Sequence, residues 1–154
     1  MIPLVDTITP NGVLLHARSV ELATAVAEVA APLRNDPRVL HWESLFGSLR
    51  KMPTCLSDCD GDFALCIPHS TTDAVLTMVM SIGRFDAGLA VPECPHPVRY
   101  LFCIAVPTHH DSDYLRIVGL LARMLKDRST EALLRAAESP EEFIATLARL
   151  EARL

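Results

Sequence analysis

His69 is the side chain in this sequence best placed to do chemistry. The apolar run Phe63-Ala64-Leu65-Cys66-Ile67 hands directly to Pro68 and then to His69. Proline fixes its own backbone and disfavours helix in the residue before it, so the run stays extended to its last residue and the imidazole is the first polar group beyond it. A neutral ring nitrogen is a nucleophile or a ligand near pH 7, because the ordinary imidazole pKa of ~6.5 leaves most of it unprotonated. His109 and His110 occupy a comparable place, in the polar stretch that follows the apolar run 98–106. Two strand ends that lead into polar loops would set these groups along one edge of a sheet, where open α/β sheets hold their sites.

Other groups admit metal chemistry. Cys55 and Cys59 lie in one polar stretch and Cys94 and His96 in another, but Cys-x3-Cys with Cys-x-His does not match paired zinc knuckles. A second metal reading joins His69, His109 and His110 to Asp60 or Asp62. The bland reading of Asp58, Asp60 and Asp62 is a solvated loop. Cys66 and Cys103 sit inside apolar runs and read as small buried hydrophobes. His16 and His41 fall in or beside regular elements as half-buried polar contacts, and His96, between two prolines, belongs to a surface turn.

The elements that must position His69 follow from periodicity. A turn-rich entry, VDTITPNG, precedes a first strand at VLLH. Ser19 then stands as the N-cap of a helix running to Leu33, with Leu22, Val26 and Val29 on one stripe. A second helix, VLHWESLFGSLRK, turns Leu40, Leu45, Phe46 and Leu49 inward. MPTCLSDCDGD has loop chemistry. Strands are expected at 63–67, 74–82 and 98–106, then a helix from near Asp113, one capped by Ser129, and one capped by Ser139 with Pro140 at its first position. The order β-α-α-β-β-β-α-α-α predicts an α+β chain, a three-layer α/β/α sandwich with a central mixed sheet.

Composition narrows the partners. The 154 residues suit one domain spanning 1–154. With 14 basic against 19 acidic residues and 5% aromatics, there is no basic, ring-studded footprint for nucleic acid. No apolar stretch reaches the ~18 residues of a membrane span and no signal peptide opens the chain, so a cytoplasmic protein is expected. Five cysteines, irregularly spaced, do not make a disulfide framework.

The stretch CIPHSTTDAVLTMVMSIGRFDAGLAV, followed by HPVRYLFCIAVPTHHDSDYLRIVGLLARML and a Ser-x-Glu-x-Leu helix, resembles the enzyme IIA domain of the fructose, mannitol and nitrogen-regulatory phosphotransferase systems. The likeness runs from about Phe63 to Leu147, and HWESLFGSL resembles the end of the family's second helix. In that family the histidine of Ile-Pro-His accepts a phosphoryl group, so the resemblance implies this role for His69. It implies phosphate arriving from a histidine-containing phosphocarrier protein and leaving toward an EIIB or regulatory partner, with no metal, nucleotide or other cofactor. Ser70 and nearby N–H groups would be the local donors for the phosphoryl oxygens. A free-standing domain fits the nitrogen-regulatory branch.

Three departures from the family pattern stand out. Its second histidine falls, counted from Val106 and Pro107, on Tyr114, which donates a hydrogen bond but carries no charge. Its Gly-rich approach to the active histidine is replaced by TCLSDCDGDFAL, which keeps only Gly61 and adds carboxylates that repel phosphate. Its helix-end arginine falls near Ser48, with Arg50 as a shifted replacement. These changes open an alternative: the same fold as a non-phosphorylated regulatory binding module.

Overall fold

The computed structural model describes residues 2–51, 54–59 and 62–154, with the backbone alone for 54–59. Among them are strands β1 (Ile8–Leu14), β2 (Thr54–Cys59), β3 (Phe63–Ile67), β4 (His69–Thr72), β5 (Val79–Leu89) and β6 (Val98–Pro107). They form one mixed sheet in the order β1-β5-β6-β3-β2, with β4 also paired to β6. The helices are α1 (Leu4–Thr7), α2 (Leu22–Ala30), α3 (Trp42–Leu49), α4 (Asp111–Lys126), α5 (Arg128–Ala136) and α6 (Pro140–Arg153), with a 3-10 turn at Ala31–Asn35.

Side chains alternate across a strand, and β6 shows how that sorts the two faces. Tyr100, Phe102, Ile104 and Val106 join the core under α4, α5 and α6, while Leu101, Cys103 and Ala105 join the core under α2 and α3. The three-layer sandwich expected from the sequence is therefore present. Gly83 lets one layer close: a Cβ there would stand 2.3 Å from Val29 Cγ2, so its absence lets α2 lie close on the sheet.

Several element boundaries differ from expectation, each for a local reason. The first strand starts at Ile8 rather than Val13, because Pro10, Asn11 and Gly12 form an irregularity within it: Asn11 has φ 59°, and the register with β5 shifts between Ile8 and Val13. Ser19 does not cap α2; its hydroxyl donates to Glu28 at 2.7 Å and fixes the chain ahead of the helix. Leu40 does not face inward. It lies in a bend before α3, its N–H donates to Ala74 O at 2.7 Å, and it is 49% exposed.

The stretch expected to be loop contains β2, paired antiparallel with β3 through Cys55↔Cys66 and Leu56↔Leu65. A waiting partner edge overrode its turn-type composition. Residues 52, 53, 60 and 61 and the side chains of 54–59 lie outside what is described, and with them the Cys55–Cys59 metal pair and the loop carboxylates Asp58 and Asp60.

The strand expected at 74–82 begins at Val79 and continues to Leu89. Arg84 explains the extension: it is buried in the strand and donates to Leu134 O at 3.0 Å and Ala137 O at 2.8 Å, satisfying carbonyls at the end of α5. Asp127, not Ser129, caps α5, whereas Ser139 caps α6 with Pro140 in its first turn, as expected.

Candidate functional site

β3 and β4 are two parts of one line beside β6, interrupted at Pro68. Proline has no N–H to give, but its carbonyl accepts from Ile104 N at 2.9 Å, so the line resumes at once. His69 therefore sits inside a short strand that runs on to Thr72, rather than beyond a strand end. Its register partner is Ile104, and that of Thr72 is Pro107. The parallel strands β4 and β6 thus finish side by side, which brings the loops after them together at one edge of the sheet. Thr108 Oγ1 donates to Asp73 Oδ1 at 2.5 Å across those loops, and Ala74 N donates to Thr72 Oγ1 at 3.0 Å.

Within this edge the His69 ring is held by two contacts. Nδ1 lies 3.0 Å from Ile67 O. A carbonyl only accepts, so this geometry puts the ring proton on Nδ1 and leaves Nε2 with its lone pair. The other contact is Tyr114, in the first turns of α4, whose ring stacks on His69 with centroids 4.7 Å apart and planes at 28°. Burial raises the Tyr114 phenol above its ordinary pKa, so near pH 7 it is a neutral donor.

The four site residues expected from the sequence occupy distinct places. His69 and Tyr114 are in contact. Ser70 is next in the chain, but alternation along β4 turns it the other way: it pairs with Ala105, whose side chain belongs to the α2–α3 core, and it is 8% exposed. Its hydroxyl therefore lies on the opposite face from the imidazole. Arg50 follows the last residue of α3, and its guanidinium lies over the Phe46 ring, 5.2 Å from the centroid. Phe46 in turn stacks on Trp42 at 5.1 Å.

Of the loop histidines, His110 is exposed with Nδ1 3.5 Å from Asp113 Oδ2, and His109 adopts the left-handed backbone at φ 71°. Among the described residues no cluster of three or more His, Cys, Asp or Glu side chains is arranged to hold a metal ion. Sequence reading passed over the Ile67 carbonyl and the Thr108–Asp73 bond. The polar Ser-Thr-Thr-Asp after His69 and the Thr after Pro107 were the available signals for the second.

α4 starts at this edge without a side-chain cap, so the N–H groups of its first turn are not consumed by one. They carry the positive end of the helix dipole. Asp111 and Asp113 in the same turn oppose it.

The comparisons agree with this architecture. Residues 8–150 match the family model described as phosphoenolpyruvate-dependent sugar phosphotransferase system, EIIA 2. The chain belongs to that family. A curated relative from Haloferax volcanii, the fructose-specific EIIA component of a phosphotransferase system, is 32% identical over 89 residues. That alignment covers 57% of this chain and 58% of the relative, so it spans little more than half of each.

The nitrogen regulatory protein IIA-Ntr from Neisseria meningitidis superposes with a TM-score of 0.76 at 20% identity, over 94% of this chain and 98% of that one. The IIA mannitol enzyme of Escherichia coli, in its complex with phosphorylated enzyme IIB, superposes at 0.70 and 17% identity, over 92% and 99%. These likenesses establish a shared fold. Among the described residues no helix is long and apolar enough to cross a membrane.

Proposed function

We propose that this protein is a phosphoryl carrier of a phosphoenolpyruvate-dependent phosphotransferase system, working in the cytoplasm as one domain, with His69 Nε2 as the acceptor atom. The observation that carries the reading is the Nδ1 to Ile67 carbonyl contact, which leaves one defined nucleophilic nitrogen on the ring. The donor is a phosphohistidine on a carrier protein. The Nε2–P bond forms as the donor's N–P bond breaks; the donor nitrogen keeps the electron pair, and the His69 proton stays on Nδ1 throughout. Little covalent work beyond in-line placement is asked of the protein. The first-turn N–H groups of α4 and the Tyr114 hydroxyl are the local donors for phosphoryl oxygens. Ser70 is turned to the other face of β4, and Arg50 is the cation that ends helix α3.

Two features support proteins as the exchange partners. His69 lies close to the ends of β4 and β6, and the elements that follow those two strands carry exposed leucines. Leu115, beside Tyr114, is 67% exposed and Leu76, in the loop after β4, is 61% exposed. Leu40 is tied to that same loop through Ala74. Such apolar groups suit docking of the phosphocarrier and of an EIIB-type recipient, the kind of partner seen with the mannitol relative.

A second reading is favoured by Asp73, Asp111 and Asp113: carboxylates in the loop after β4 and in the first turn of α4 suit an unphosphorylated module that signals by binding. Incubation with phosphoenolpyruvate, enzyme I and the phosphocarrier separates the two. Acid-labile phosphate and a matching mass increase are expected on wild type and absent from His69→Ala. An unmodified wild type at excess carrier rejects the carrier reading and leaves the binding module.

A further inference from the structure

Two exposed side chains tie together the loops that leave β4 and β6 beside the His69–Tyr114 stack. Thr108 Oγ1 donates to Asp73 Oδ1 at 2.5 Å, the short length of a hydroxyl on a carboxylate. Both side chains are exposed, so the bond adds little to the stability of the fold. What it joins gives it another use, because its two ends are mounted differently.

Asp73 stands on a fixed post. Thr72 Oγ1 accepts from Ala74 N at 3.0 Å and closes the chain around Asp73. Ala74 O accepts from Leu40 N at 2.7 Å and from His41 N at 3.3 Å, and Leu76 N donates to Arg38 O at 2.8 Å. With Ala74 and Val75 buried, this loop is pinned to the segment ahead of α3. Thr108 instead opens a turn of costly shape. Pro107 O accepts from His110 N at 3.2 Å, and His109, at the third position of that turn, takes φ 71°. Glycine or asparagine ordinarily fills such a place, and a histidine stays there only where its surroundings hold it. The carbonyl of His110 then accepts from Tyr114 N at 3.3 Å in the first turn of α4. The placement of the turn therefore passes straight to Tyr114.

We propose that Asp73 and Thr108 are positioning residues for the site. The carboxylate holds the left-handed turn against the pinned loop, which sets the start of α4 and with it the Tyr114 ring against His69. Centroids 4.7 Å apart leave little room for drift, and a displacement of about 1 Å at reacting groups is enough to slow transfer many-fold. The consequence for phosphate uptake rests on the carrier reading; the consequence for the stack does not.

Proton spectra of the His69 ring read the stack directly, since a stacked phenol shields the protons on its carbons, and Tyr114→Leu marks their unstacked position. Thr108→Val keeps the branched shape and loses the donor. It is expected to move the His69 protons most of the way to that mark, and to lower kcat for phosphate uptake about tenfold with KM for the phosphocarrier unchanged. Thr108→Ser keeps the hydroxyl and is expected to hold both at wild type. Asp73→Ala is expected to match Thr108→Val, and the double variant Asp73→Ala/Thr108→Val to be no worse than either single one. His69 protons that stay in place in Thr108→Val overturn the proposal. So does a shift that Thr108→Ser shares, or single effects that add in the double variant. A wild type that takes up no phosphate rejects the carrier reading alone, and the proton positions still decide the role of Asp73 and Thr108.

Discussion

Glu131 and His69 sit at opposite ends of the same strand neighbourhood, and the protein treats them in opposite ways. Around Glu131, a buried carboxylate is closed off by two guanidiniums and a phenol, so its charge is spent on holding α5 to β6. Around His69, one ring nitrogen is satisfied by Ile67 O and one ring face by Tyr114, while Nε2 remains as the nucleophilic atom. The first arrangement locks a structure. The second locks an orientation and leaves a reactive atom, which is what a site for group transfer needs.

The largest effect that separates the two is on folding. Removing the buried carboxylate that pairs with both guanidiniums takes away their shared counter-charge, so Glu131→Ala is expected to cost about 3 kcal/mol or more in urea unfolding. His69→Ala, at a half-exposed ring, is expected to change stability little while abolishing phosphate uptake. If the two variants were equally stable, Glu131 would not be the structural anchor described.

A similar closed-off carboxylate gives the next effect. Asp36 is buried; burial raises its pKa, but hydrogen bonds from Arg38 and Thr9 outweigh that and hold it down, from an ordinary 3.8 to about 2. The native state therefore holds this proton less readily than the unfolded chain. Its contribution, roughly 2 kcal/mol, is complete above about pH 4 and is lost as pH falls through 2. Asp36→Asn is expected to be less stable than wild type at neutral pH and to flatten that acid limb. Parallel acid limbs in the two proteins would remove Asp36 from the account.

These contrasts mark what the sequence disclosed. The helices of the second half, the strands at 63–67 and 98–106 and the three-layer arrangement were legible because long apolar periods and the Ser139-Pro140 cap are local signals. β2 was not, since its pairing is set by a partner edge and its own residues read as turn. The start of β1 was hidden by Pro10-Asn11-Gly12, which reads as a turn and is an irregularity within a strand. At the candidate site, His69 and Tyr114 were both named from spacing to the family pattern. The tautomer was not legible, because it depends on where the Ile67 carbonyl points. Nor was the facing of Ser70, which follows from β4 being a strand at all.

The smallest effect expected is at Tyr114, and it is the most informative about the open site. A phenol stacked on the acceptor ring offers a hydrogen bond and no charge. Tyr114→His supplies an imidazole in the same turn of α4, which is cationic below its ordinary pKa of ~6.5. A cation placed near the developing phosphoryl charge is expected to raise the rate of phosphate uptake about tenfold at pH 6. The gain should fade as pH rises past 7.5 or so and the new ring loses its proton. Taking the ratio of variant to wild type at each pH cancels whatever titration both proteins share. Tyr114→Phe keeps the stack and loses the hydroxyl, so it is expected to slow uptake a few-fold at every pH, with no pH-dependent ratio. A ratio for Tyr114→His that is flat across pH would mean that charge at this position does not reach the phosphoryl group, and that the stack alone, by fixing the ring plane, is what the site takes from α4.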